Sequence, residues 1–145
     1  MKKKLPHDGV FTRLRPSTIH GIGVFAIRDI TKDTYIFTGD NSKMTWVTKS
    51  EIENQEPEIK KLYDDFCIIE GNKYYCPDNF NNLNVGWYLN ESKENPNVRC
   101  DDNYDFYALR DIKKDEELTV DYATFSEYPH KYFSIETKRC SNTKS

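Results

Sequence analysis

Residues 114–122 read Lys-Asp-Glu-Glu-Leu-Thr-Val-Asp-Tyr. A charged turn leads into a short apolar and β-branched run that closes on Asp121 and Tyr122. This is the pattern of a short buried strand with a hydroxyl at its far end. Standing alone it is an ordinary strand end, and its tyrosine is an ordinary core residue whose hydroxyl has found a partner. What it means depends on two stretches upstream.

The nearer one is Trp87-Tyr88-Leu89-Asn90-Glu91-Ser92, followed by Asn95-Pro96-Asn97. An apolar run entering Asn-x-Ser puts amide and hydroxyl groups at a strand end, where they can hydrogen-bond a polar ligand. Asn-Pro-Asn then imposes a sharp extended turn. The farther one is His20-Gly21-Ile22-Gly23-Val24-Phe25-Ala26. Two glycines around one residue let the backbone turn tightly and approach a ligand closely. No third glycine and no helical pattern follow, so this is not a dinucleotide-binding fingerprint. Each of these stretches, taken singly, also reads as a plain turn or hairpin connection.

The remainder of the 145 residues frames these three. Strand-like runs are predicted at 9–14, 23–27, 35–38, 73–76, 85–89, 104–109 and 118–122, most of them bounded by Asp, Asn, Gly, Pro or Lys. One helix is predicted where Ile59, Leu62, Tyr63 and Phe66 recur at i, i+3, i+4 and i+7, with Pro57 in its first turn. Ser50 and Glu53 have the spacing of a capping box for a short helix upstream. The hydrophobic share is 37%, but ten Tyr, eight Phe and two Trp supply large rings that can close a core and favour strands. A net charge of −3 argues against nucleic acid as the main partner. Lys2, Lys3 and Lys4 precede no apolar stretch, so a secretory signal is not expected. No membrane-spanning run is present in the sequence either. Cys67, Cys76, Cys100 and Cys140 lie far apart without a C-x-x-C pair, which favours reduced thiols, no structural zinc and a cytoplasmic or nuclear setting.

In this order and spacing, the three stretches resemble the SET domain of protein lysine methyltransferases. The match covers G-x-G-V-F-A at 21–26 and N-H-S-x-x-x-P-N in Asn90-Glu91-Ser92 with Pro96-Asn97. It also covers G-E-E-L-T-x-D-Y at Asp115 to Tyr122, and Phe37-Thr38-Gly39 is similar to the family's aromatic-x-Gly step. The resemblance spans about residues 9–125. It implies one mostly β domain over 1–145, a β-clip of small sheets with a C-terminal pseudoknot and a short helical insertion. Residues 126–145 would form a tail in place of a zinc-binding post-SET segment.

By the same resemblance the activity would be methyl transfer from S-adenosylmethionine to a lysine amine of a protein or peptide, with histones as candidate substrates. Tyr122 would be the catalytic residue. Ile22 and Gly23 would line the methionine end of the cofactor, Asn90 would hydrogen-bond it, and the backbone of Glu91 would read its adenine edge. Phe37, Val120 and Tyr122 would line the lysine channel. No metal is implied.

Glu91 stands where the family pattern has His. Phe125, Tyr128, Tyr132 and Phe133 are candidates for an aromatic lid, and Asp64, Asp65, Asp101, Asp102 and Asp105 for docking a basic peptide. A homodimer partner is one way such a small domain could complete its substrate groove. The alternative function is a catalytically silent SET-fold module that binds a peptide or protein; no direct nucleic-acid or membrane contact is expected.

Overall fold

The computed structural model describes residues 3–127. Within them nine short strands occur: β1 Thr12–Pro16, β2 Ile22–Ala26, β3 Met44–Thr48, β4 Ile68–Glu70, β5 Lys73–Pro77, β6 Asn90–Glu91, β7 Val98–Cys100, β8 Phe106–Ala108 and β9 Glu117–Val120. One α-helix, α1, spans Pro57–Phe66. The described residues divide into two compact units: 3–41 with 83–125, and 42–82 with Ser126 and Glu127.

The first unit is built on a sheet of order β1-β2-β9-β7-β8, with β6 also paired to β9. The strand latest in sequence is thus filed between two earlier ones. It runs antiparallel to β2, with Val24 opposite Leu118, and parallel to β6, with Asn90 opposite Thr119. Pairing segments 90–91 and 98–100 parallel to β9 obliges the chain to cross over between them, since a hairpin cannot make parallel neighbours. Asn97, 2% exposed, fastens the crossing: its Nδ2 donates to Glu117 O at 2.8 Å and its Oδ1 accepts from Thr119 N at 2.8 Å. Its backbone N–H also donates to Thr119 O at 3.1 Å, so side chain and main chain hold β9 together. Val24, Ala26, Ile30, Ile36, Leu89, Val98, Ile112, Leu118 and Val120 bury into one apolar core.

The second unit pairs β3-β5-β4 antiparallel. Its core holds Ile52, Cys67, Ile69, Tyr74 and Cys76, with Tyr63 of α1 edge-on to Phe80. The helix predicted from the spacing of Ile59 to Phe66 is α1, with Pro57 in its first turn. Cys67, Cys76 and Cys100 are free thiols; Cys140 lies outside the described residues, as do Tyr128, Tyr132 and Phe133.

Several local readings differ. The capping box belongs to Thr48 and Glu51, not to Ser50 and Glu53. Thr48 ends β3 with extended backbone, as an N-cap requires, while Ser50 already lies inside the 3-10 turn Lys49–Ile52. Thr48→Ala is expected to cost about 1 kcal/mol, read from the midpoint of denaturant unfolding. The strand expected at 85–89 is a 3-10 turn, Val85–Tyr88, capped by Asn84, whose Oδ1 accepts from Gly86 N at 3.0 Å. The strand expected at 35–38 is a turn ending at Gly39, whose φ of 84° suits glycine; only Tyr35 bridges to Tyr107. Strands β3, β4, β6 and β7 went unread: β4, β6 and β7 are two or three residues long, too short to show a period, and β3 alternates only over Met44 to Trp46.

Candidate active site

The glycine stretch, the Asn-x-Ser stretch and the Asp-Tyr stretch all lie in the first unit, and β9 is the element they share. Gly23 and Asn90 meet at Glu117. The Asn90 side chain is 7% exposed. Its Nδ2 donates among Glu117 Oε2 at 2.9 Å, His20 O at 3.0 Å, Ser17 Oγ at 3.2 Å and Ile22 O at 3.3 Å. Every neighbour of that nitrogen is an acceptor, which fixes the amide orientation. Asn90 Oδ1 therefore faces away from them, and it accepts no hydrogen bond among the described residues.

Ser17 lies outside the matched motifs and Glu117 inside the third with no role read for it, yet together they complete this cluster. Ser17 Oγ donates to the Glu117 carboxylate at 2.9 Å and accepts from Ile19 N at 2.9 Å, tying the loop before β2 to the start of β9. The second glycine has its reason here. A Cβ on Gly23 would overlap Glu117 Oε2 and come within 3.1 Å of Asn90 Nδ2. Because the carboxylate is held by Ser17 and Asn90, it cannot swing aside freely. Gly23→Ala is expected to cost roughly 1–2 kcal/mol of stability by thermal or denaturant melting. An unchanged midpoint would mean that the carboxylate moves away without loss. Ile22, beside it, is half exposed at 51%, an apolar side chain presented to solvent next to the amide.

Tyr122 opens the 3-10 turn Tyr122–Thr124 directly after β9 and is half-buried. Its hydroxyl donates to Leu89 O at 2.6 Å, and its backbone N–H donates to Glu91 Oε2 at 3.0 Å. Phe37, Phe106, Phe125 and Tyr122 form a series of edge-to-face rings, with centroids 6.1, 5.6 and 6.2 Å apart. Phe106 went unread in the sequence because it sits in a run with no motif. Phe125 joins this series. Val120 is 1% exposed and belongs to the core, next to the ring series but enclosed. Asp115, at the glycine position of the third motif, has φ of 75°, a left-handed conformation that Asp tolerates better than most residues.

Asp64, Asp65, Asp101 and Asp105 have local employment. Asp101 Oδ1 accepts from Asn103 N and Asp105 N at 2.9 Å, Asp64 accepts from the Tyr74 hydroxyl at 2.7 Å, and Asp65 pairs with Lys61. Asp64 and Asp65 belong to the second unit, and Asp101, Asp102 and Asp105 to the first. Burial, reinforced by Asp101, Asp105 and Asp102, pushes the Cys100 thiol up to about 12, so it is protonated at neutral pH and is no nucleophile. No group of three or more His, Cys, Asp and Glu side chains among the described residues is arranged to hold a metal ion. No described helix is long and apolar enough to cross a membrane.

Beside this cluster lie an exposed apolar side chain at Ile22, a Gly23 whose Cβ position is filled by the Glu117 carboxylate, and an amide oxygen at Asn90. The SET domain family model matches residues 21–123. Among solved structures, the crystal structure of a candidate histone methyltransferase from Plasmodium falciparum is similar, with a TM-score of 0.52 and 22% identity over 78% of this chain and 93% of that one. At that identity the likeness speaks to fold alone. No curated protein sequence matches the chain.

Proposed function

The chain belongs to the SET-domain family, and from that premise we propose that it is an S-adenosylmethionine-dependent protein-lysine N-methyltransferase. One observation carries the reading: Tyr122 is tied by its hydroxyl to Leu89 O, one residue before Asn90, whose amide is locked against the glycine stretch through Glu117. A ligand resting on Ile22, Gly23 and Asn90 and a reacting group at Tyr122 would then share one rigid frame around β9. We take the whole chain as one SET domain, its core at about 9–125.

In this reading Ile22 and Gly23 flank the methionine end of the cofactor, Asn90 Oδ1 accepts from its ammonium, and the backbone of Glu91 meets the adenine edge. The bound cofactor supplies an electrophilic methyl on a sulfonium. The protein's part is positioning and exclusion of water. The Tyr122 hydroxyl proton is committed to Leu89 O, which turns the oxygen to accept weak contacts from a polarised C–H and from the lysine amine. Phe37, Phe106, Phe125 and Tyr122 offer aromatic walls to the lysine stem. An apolar channel beside a positive charge disfavours the ammonium form of a lysine whose free pKa is about 10.4, so neutral amine can form without a dedicated base. A lysine of a basic protein segment, histone tails among them, is the substrate class we propose.

Titration calorimetry of the purified protein with S-adenosylmethionine tests this. Saturable binding with Kd between about 1 µM and 1 mM is expected, the range of ordinary enzyme substrates. No heat at millimolar cofactor would sink the enzyme reading in favour of a silent binding module.

A further inference from the structure

The first N–H groups of a helical turn have no partner within the turn and must find one elsewhere. In the turn Tyr122–Thr124 the Asp121 carboxylate takes the N–H of Ala123 at 3.0 Å, leaving that of Tyr122. A second carboxylate takes it: Glu91 Oε2, at 3.0 Å. Glu91 is half-buried and lies opposite Val120 in the parallel pairing of β6 with β9, and the next residue, Ser92, donates its N–H to Val120 O at 3.1 Å. The Glu91 side chain therefore reaches past Val120 along a registered ladder. Tyr122 is gripped at both ends by segment 89–91: its amide by Glu91, its hydroxyl by Leu89 O at 2.6 Å.

We propose that Glu91 is a positioning residue that sets the backbone of Tyr122 and, through it, the direction of the tyrosine hydroxyl. Its role in catalysis rests on the methyltransferase reading above; its grip on Tyr122 does not. The position where the family motif has an imidazole here carries a carboxyl group, whose Oε2 accepts from the Tyr122 N–H. The carboxylate acts on Tyr122 and not on the cofactor, whose edge is met by the backbone of the same residue.

The test is amide hydrogen exchange by NMR on the full 15N-labelled chain, for the wild type, Glu91→Ala and Glu91→Gln. In Glu91→Ala the Tyr122 amide is expected to exchange roughly tenfold faster or more, while those of Val24 and Leu118 hold their rates. Glu91→Gln keeps an acceptor oxygen in the same place and is expected to return the rate to within about threefold of wild type. An unchanged Tyr122 rate in the alanine variant overturns the proposal. So does a uniform acceleration that includes Val24 and Leu118, which would make Glu91 a general prop for the fold. A tenfold loss of cofactor affinity with Tyr122 unmoved overturns it as well, assigning the carboxylate to the ligand. If the wild type itself binds no cofactor, the methyltransferase reading fails, and the exchange result still decides whether Glu91 holds Tyr122.

Discussion

Tyr122→Phe is expected to lower the methyl-transfer rate by about 100-fold or more, equivalent to about 2.7 kcal/mol of transition-state stabilisation, while the protein stays folded. The hydroxyl is the only part removed. Its hydrogen bond to Leu89 O is lost, which costs about 0.5–1.5 kcal/mol of stability. The ring keeps its edge-to-face contact with Phe125 and the backbone keeps its bond to Glu91. What disappears is the oxygen that aims the methyl and orients the amine. Single-turnover transfer of a radiolabelled methyl to a panel of lysine peptides and core histones measures the loss, and a denaturant melt checks the fold. Wild-type turnover by the phenylalanine variant would remove Tyr122 from the chemistry.

Asn90→Ala is expected to be the more disruptive to the protein itself. The amide nitrogen serves Glu117, His20 O, Ser17 and Ile22 O together, so its removal leaves a half-buried carboxylate with Ser17 as its remaining side-chain donor. A loss of about 2–4 kcal/mol follows, because the two amide hydrogens are removed from a spot where the Glu117 carboxylate and two main-chain carbonyls depend on them. It should appear as a lower unfolding midpoint with an unchanged denaturant slope. Affinity for S-adenosylmethionine is expected to fall more than tenfold, since the oxygen proposed to meet its ammonium goes with the nitrogen. Full stability in the alanine variant would mean that the loop before β2 is held by Ser17 alone. Full cofactor affinity would move the binding site away from Asn90.

These two variants probe different ends of β9, and the contrast explains how much could be read without coordinates. Gly23, Asn90 and Tyr122 each carry a local pattern: a glycine pair before a strand, an amide at a strand end, a hydroxyl after an apolar run. Ser17 carries none, and Glu117 and Asn97 sit within matched motifs that give no hint of what their side chains do. Ser17 sits 100 residues from Glu117, and nothing local distinguishes it from any serine in a turn. Glu117 looks like one of several acidic residues in a charged turn, although its carboxylate is what requires a glycine at position 23. Asn97 reads as a turn residue after proline, while its side chain supplies two ladder bonds to β9.

Local chemistry did decide some elements outright. The i, i+3, i+4, i+7 spacing after Pro57 specifies α1, because helical periodicity and a proline-tolerant first turn are properties of neighbouring residues. The apolar run after Glu117 specifies β9 for the same reason. Where partners are distant, local pattern misleads. Residues 85–89 look like a strand and wind into a 3-10 turn because Asn84 caps it and Gly86 lets Phe37 approach within 3.2 Å of where a Cβ would be. By itself, then, the sequence determined the family, the mostly β character and three of the residues around which a site could form. Only the tertiary structure decided that Ser17 and Glu117 bind those residues together and that Glu91 grips Tyr122. Those bonds join segments tens of residues apart, brought into register by a late strand inserted between early ones, and no periodicity along the chain encodes them.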